Sequence, residues 1–503
     1  MNRLLIYLLI FPAVLLSCKK DFLAVNPHDK LSEGTFWQTE QDARLAIAGV
    51  YNSMYNSYFG MGDYPGWDGL TDNAYSFNNR SGVLGAVTAP ITSTTGGIVT
   101  DFYVNAYSKI ATCNYFLENI DRIKGMDQQI INNWKAEVLV IRAWFYFHLT
   151  EFYGDVPEVF NSYTVGDALL SRAPKATILQ RIHGDLDLAI STLPDKIYSD
   201  GHVVKYTAIA IKAKVCLANK QYPEAAMLAK QIMDAGKFQL YPNYKKMFFT
   251  EGQGADNREI LFAIRYVSPD LEHAGSLWWG WWRSLGITKD LADDYEAIDG
   301  LPISTSPLYD SAKPYDNRDP RLNMTWYMNG KPWPYSGEGY PIFSSDYVAA
   351  PVRGSLGKYV EDRAITVAQA EHADNDVILM RYADVMLMYA EAKNEASGPD
   401  ESVYTAIDDI RKRVGMPEIA RGKTQQALRE AIRHERRIEL AAESSRWLDL
   451  KRWGQLEKIG TISTSQVPVK YQFSAHNYLW PLPQSQVDYY TGHGSKLVQN
   501  PGY

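Results

Sequence analysis

Apolar residues recur every three or four positions through most of the chain, and the segments that carry this period fall in neighbouring pairs. The first is 40–58, "EQDARLAIAGVYNSMYNSY". The segments 102–122 and 132–153 follow as a pair. The latter contains "WKAEVLVIRAWFYFHLTEFY", apolar almost all round, which predicts a central buried helix that Gly154 and Pro157 end. Another helix is predicted over 177–193. The clearest hairpin joins 206–219 to 223–235, "AKVCLANKQYPEAAMLAKQIMDAG". Ala213 and Ala225 let two helices approach there, with Tyr222 at the turn, as in a tetratricopeptide unit that lacks the Trp and Pro of the consensus. A second hairpin covers 381–414, and a last long helix 425–443. The pattern predicts an all-α dominated fold: a tetratricopeptide-like helical repeat scaffold of about four helix pairs.

Two stretches break the helical period. Residues 59–100 are rich in Gly, Thr and Asn with aromatic punctuation, and residues 240–375 are richer still in Gly, Pro, Trp and Tyr. Insertions of this length on a compact scaffold are usually functional.

Aromatic side chains concentrate in these insertions. "SLWWGWWRSLGI" at 276–287 puts Trp278, Trp279, Trp281 and Trp282 within five positions. Gly275, Gly280 and Gly286 favour a loop over a helix there. Indole faces suit the C–H faces of sugar rings, and they suit a packed core equally well; one or two exposed rings are expected, because four adjacent indoles are hard to bury together. Trp67, Asp68, Asp72, Asn73 and Tyr75 form a second candidate, an aromatic to stack a sugar and carboxylates and an amide to bond its hydroxyls. Asx-turn chemistry in a Gly-rich loop explains the same residues. Trp326, Trp333 and Tyr335 belong to this class. In "LREAIRHERRIELAAESSRW", Glu435 and Glu439 fall inside the apolar stripe of Leu428, Ala431, Ile432, Ile438 and Ala442. They read as a general acid pair or, with more weight, as structural carboxylates held by Arg433, Arg436, Arg437 and Arg446.

The N-terminus carries a targeting pattern. Arg3 precedes an apolar run from Leu4 to Leu16, too short to span a bilayer at roughly 20 residues per crossing. Leu15-Leu16-Ser17-Cys18 reads as a bacterial lipobox, so residues 1–17 are expected to be a leader and Cys18 the lipidated residue of one domain covering 18–503. Cys113 and Cys216 sit in helical patterns among apolar neighbours and read as buried small hydrophobes.

Composition narrows the function. The net charge is -7, which leaves no basic excess for nucleic acid. The chain has 34 Tyr against 17 Phe, so many rings are expected to keep one wet edge. G-x-S-x-G, H-E-x-x-H, P-loop and C-x-x-C signatures are absent from the sequence, and no cofactor or metal is expected. A helix-rich α/α-barrel glycoside hydrolase stays open as a rival, because its carboxylates need not be close in sequence.

Taken in order, "CKKDFLAVNP", "FWQTEQDARLAIAGVYN", "RAWFYFHLTEFYGDVP", "NREILFAIRY", "LADDYEAIDGLPI", "NRDPRL" at 317–322, "ILMRYADVMLMYAEAKNE", "ERRIELAAESSRWLDLKRWG" and "YLWPLPQSQVDYY" resemble the SusD/RagB family over nearly the whole length. That resemblance implies an α-rich fold of four tetratricopeptide-like units on which long loops build a ligand site. It implies a lipid-anchored outer-membrane protein, not an enzyme, that binds oligosaccharide, or peptide in some members. The partner would be a SusC-like TonB-dependent transporter, faced by the helical scaffold. The resemblance fixes no ligand residues, so the aromatics of the two insertions remain the candidates.

Overall fold

The computed structural model describes residues 36–55, 57–162, 169–329, 351–352, 354–360 and 366–503. Residues 1–17, expected to be a leader, and Cys18, Trp333 and Tyr335 lie outside the described residues. The long helices are α1 (Glu40–Tyr55), α2 (Gly97–Asn119), α3 (Gln128–Tyr153), α4 (Lys175–Thr192), α5 (Lys205–Ala218), α6 (Tyr222–Asp234), α7 (Tyr382–Ser397), α8 (Glu401–Arg413) and α9 (Gln425–Glu439), followed by the shorter α10 (Arg446–Arg452). From α1 to α6 each helix packs on the next; α6 and α7 then pack together across the second insertion, and α7 carries α8 and α9. This is the helical repeat scaffold the periodicity predicts.

Local chemistry explains the elements. Asp127 caps α3 by accepting from the Gln129 amide, and Gly154, at φ 74°, ends it. From Ala136 to Tyr153 every residue of α3 is buried, as its unbroken apolar pattern requires. In the α5–α6 hairpin Ala213 and Ala225 are fully buried at the close approach.

The insertions are not structureless. They supply a four-stranded antiparallel sheet with strand order β1 (Ala74–Ser76), β3 (Leu285–Ile287), β5 (Gly354–Leu356), β4 (Trp326–Met328). β2 (Ile260–Ile264) pairs with β6 (Val377–Arg381), which leads straight into α7. The register Ala74↔Ile287 ties the first insertion to the second, 213 residues apart along the chain. The two loop regions therefore form one unit seated on the scaffold.

Candidate ligand-binding site

The two insertions and the end of α1 enclose a cleft of about 480 Å³. Tyr55, Ser57 and Tyr58 come from α1 and the residues just after it, Gly60 to Asp63 and Arg80 from the first insertion, and Asn105 from α2. Tyr266, Glu272, His273, Ala274, Trp278 and Glu371 close the opposite wall.

Trp278 is half-buried and lines this cleft. The Arg80 guanidinium lies over its ring, 3.6 Å from the centroid, and 5.9 Å from that of Trp279. Arg80 is anchored by donating through Nε to the Gly62 carbonyl. Burial lowers its pKa, an effect that Asp63 nearby opposes. Gly62 leaves room for this stack: a Cβ there would stand 2.7 Å from Arg80 Nη2 and 3.1 Å from Trp278 Cζ3, so the pair would have to shift.

The floor of the cleft is stiff. The Met61 amide donates to Tyr266 Oη at 2.9 Å, and Tyr55 and Tyr266 pack with ring centroids 4.7 Å apart. His273 sits edge-on against Tyr266 at 4.4 Å with Nε2 2.8 Å from the Asn375 carbonyl, and burial pushes its pKa down to about 4. Around that floor, Asp63, Asn105, Glu272 and Glu371 bring polar atoms to the same space. Asp63 already accepts from Ser81, and burial raises its pKa.

The tryptophan cluster is helical, which corrects the loop expected from its glycines. Ser276–Trp281 forms a π-helical turn, with the Trp282 amide donating to the Leu277 carbonyl at 2.8 Å. The wide turn splits the rings. Trp279 points inward, 1% exposed, and its Nε1 donates to the Met61 carbonyl at 2.8 Å. Trp281 is half-buried like Trp278, while Trp282 is 57% exposed.

The second candidate set stands inside the protein, which corrects its reading as a ligand surface. Trp67, Asp68, Asp72, Asn73 and Tyr75 are all at most 4% exposed. Trp67 packs on Phe59, Tyr64 and Phe152, and Tyr75 on Phe77. Asp72 takes a two-pronged bond from Arg446, both distances 2.7 Å, and Asn73 accepts from Arg437 at 2.9 Å. Asp68 accepts from Asn73 and from the Ala442 amide. The physical reason is charge pairing: these polar groups latch the first insertion to α9 and α10. Trp326 is likewise fully buried. Glu435 and Glu439 are structural carboxylates, but the arginines of their own motif do not hold them: Arg321 bridges the two at 2.5 and 3.0 Å, Arg411 adds to Glu435, and Arg381 and Arg413 to Glu439.

Sequence reasoning missed Tyr55, Tyr58, Arg80 and Tyr266. Tyr55 and Tyr58 close the first helical segment, where a tyrosine reads as packing, and a lone arginine in a Gly-rich loop carries no motif. The one available signal was position, since Arg80 and Tyr266 both fall inside the insertions.

The architecture is a helical repeat scaffold carrying one composite loop unit, with a cleft of aromatic and polar side chains at their junction. The chain belongs to the SusD family: that family's sequence model matches residues 245–503, and a second, described as "Starch-binding associating with outer membrane", matches residues 21–217. It is 27% identical to SusD-like protein P2 of Formosa agariphila, over 96% of each chain. Among solved structures, a SusD-like carbohydrate-binding protein from Bacteroides fragilis superposes with a TM-score of 0.80 at 26% identity, covering 90% of this chain and 99% of its own. A laminarin-binding SusD-like protein shares the fold, with a TM-score of 0.67 at 20% identity over 93% of this chain and all of its own.

Proposed function

We propose that this chain is a cell-surface lipoprotein that captures oligosaccharide and delivers it to a TonB-dependent outer-membrane transporter, without catalysing any reaction. The observation that carries the reading is the cleft walled by Trp278, Tyr58 and Tyr266, where apolar ring surface and hydroxyl-bonding groups converge. Sugar rings offer the matching surfaces, C–H faces for the aromatic walls and hydroxyls for Asn105, Asp63 and Glu272. The carbohydrate-binding relative from Bacteroides fragilis supports the same class of ligand. Trp282, on the same turn, is 57% exposed but is not among the residues that line the cleft.

A shallow stacking site of this type binds weakly, at roughly high micromolar to millimolar Kd. That suits handover, because a captured glycan must leave again. The lipobox at Cys18 supplies the anchor, and the outer-membrane association in the family description supports the location. Lipid at Cys18, the transporter partner and the outward orientation are part of the proposal.

The test is retardation of the detergent-solubilised full chain in native gels cast with plant, algal and host-derived polysaccharides. Retardation by at least one glycan, relieved by its free oligosaccharide, supports the reading. Migration unaffected by every glycan together with binding of a mixed peptide library would replace it with peptide capture. Release of reducing sugar during the run would replace it with hydrolysis.

A further inference from the structure

Away from the cleft, three helices of the scaffold bring together a set of donors that the glycan reading does not use. His183 on α4, Cys216 on α5 and Glu224 on α6 each offer a ligand atom, and these three atoms lie within 4.8 Å of one another. We propose that His183, Cys216 and Glu224 form a binding site for a thiophilic divalent transition metal of the zinc type, which pins α4 to the α5–α6 hairpin.

Donor chemistry favours this class of ion. An imidazole, a thiolate and a carboxylate are the usual zinc ligands, whereas calcium and magnesium take oxygen almost alone. A tetrahedral zinc with bonds of about 2.0–2.3 Å holds its ligand atoms roughly 3.3–3.8 Å apart. A set within 4.8 Å therefore needs an adjustment of about 1 Å, within the reach of rotamer shifts on three helices.

The second observation is an orphan. Nδ1 of His183 is buried and has no hydrogen-bond partner, an uncommon state for a ring nitrogen in a protein interior. Cys216 is fully buried, yet Glu224 keeps 38% of its side chain exposed, which leaves a path for entry.

Charge balances once the metal is in. Lys212 bridges Asp187 at 2.7 Å and Glu224 at 3.0 Å, so the empty cluster with a protonated thiol carries one net negative charge. Binding replaces the Cys216 S–H bond by a metal–sulfur bond and releases that proton to water. With a divalent ion, two carboxylates, one thiolate and the Lys212 ammonium, the cluster becomes neutral. The Lys212–Asp187 pair survives, and Glu224 keeps one oxygen for each cation. No redox change is required, and a water completes the fourth position. No spacing motif announces the site, because each ligand comes from a different helix.

The test is titration of the full chain with Co2+ and with Zn2+ in a non-chelating buffer. The expected result is one equivalent of Co2+ with an intense thiolate-to-cobalt charge-transfer band, displaced by one equivalent of Zn2+. Removing an outer-shell partner typically costs 10–100-fold in metal affinity. Loss of a direct ligand in Cys216→Ser or His183→Ala should therefore weaken Zn2+ binding at least about 100-fold, with the band absent in Cys216→Ser and intact in Cys113→Ala. A wild-type chain that shows no charge-transfer band at one equivalent overturns the proposal, whether or not the variants fold. A band that persists in folded Cys216→Ser also overturns it.

Discussion

Arg381 and Glu439 meet in the middle of the protein: Nη1 of the arginine donates to Oε1 of the glutamate at 2.6 Å, and neither side chain is more than 1% exposed. The pair is the hub of a larger lattice. Arg381 also holds Glu443 at 2.7 Å and Glu259 at 2.9 Å, and Glu439 also takes Arg321 and Arg413. The lattice joins β6, α8 and α9 to Arg321 of the second insertion and to Glu259, the residue before β2, so the insertion unit and the scaffold are fixed to one another by charge as well as by apolar packing. Burial alone would raise the Glu439 pKa, but Arg413, Arg381 and Arg321 together hold it well below the usual carboxylate range.

Breaking this hub is expected to be costly. Glu439→Gln leaves three buried guanidinium groups short of one charge, and removing one partner of a buried pair costs about 3–5 kcal/mol. Urea denaturation should show a loss of that size; a loss below about 1 kcal/mol would mean the lattice tolerates the vacancy.

Neighbouring tryptophans should behave oppositely. Trp279 is buried and bonded to Met61, so Trp279→Ala should cost about 3–5 kcal/mol. Trp282 is 57% exposed, and Trp282→Ala should stay within about 0.5 kcal/mol of the parent. Thermal unfolding of the two variants checks the division that the π-helical turn makes.

Gly62→Ala tests the wall of the cleft without touching the aromatic residues. The new methyl group meets Arg80 Nη2 at 2.7 Å and Trp278 Cζ3 at 3.1 Å, so the stacked pair must shift. A site displaced by this much should bind glycan about tenfold more weakly, some 1.4 kcal/mol, at nearly unchanged melting temperature. Unchanged affinity by calorimetry would place the ligand away from this wall.

His273 gives the fold a titration signature. Burial lowers its pKa to about 4, against about 6.5 for the unfolded chain. A base with a depressed folded pKa binds protons first when unfolded. The contribution is therefore full above pH 6.5 and is lost as pH falls toward 4, to a total of about 3 kcal/mol. His273→Gln should flatten the stability profile over that window. Parallel profiles for parent and variant would show that the imidazole charges freely in the folded protein.

The sequence made the scaffold legible because its helices keep a strict apolar period and end at local signals. α3 runs to Gly154, and the α5–α6 hairpin shows its two alanines at the crossing. That Glu435 and Glu439 are arginine-held was legible from their place in an apolar stripe, but the identity of the arginines was not: Arg321, Arg381, Arg411 and Arg413 all come from outside the motif. Trp67, Asp68, Asp72, Asn73 and Tyr75 misled for a physical reason. The partners of Asp72 and Asn73, Arg446 and Arg437, lie more than 360 residues away, so a latch between distant segments looked like an exposed polar loop. The Trp278–Trp282 turn was ambiguous because glycines permit several backbone shapes, and the contacts that accompany the observed one, Trp279 to the Met61 carbonyl and Trp278 to Arg80, come from distant residues. Arg80 gained its place by stacking, a contact that leaves no spacing in the sequence.

The most direct test of the glycan reading is isothermal titration of the full chain and of Trp278→Ala with the best oligosaccharide from the gel screen. The expected result is saturable binding to the parent and at least tenfold weaker binding to the variant, a loss of about 1.4 kcal/mol or more, with both proteins melting within about 5 °C of each other. Equal affinity in the two proteins would contradict it, and so would heat that continues without saturation.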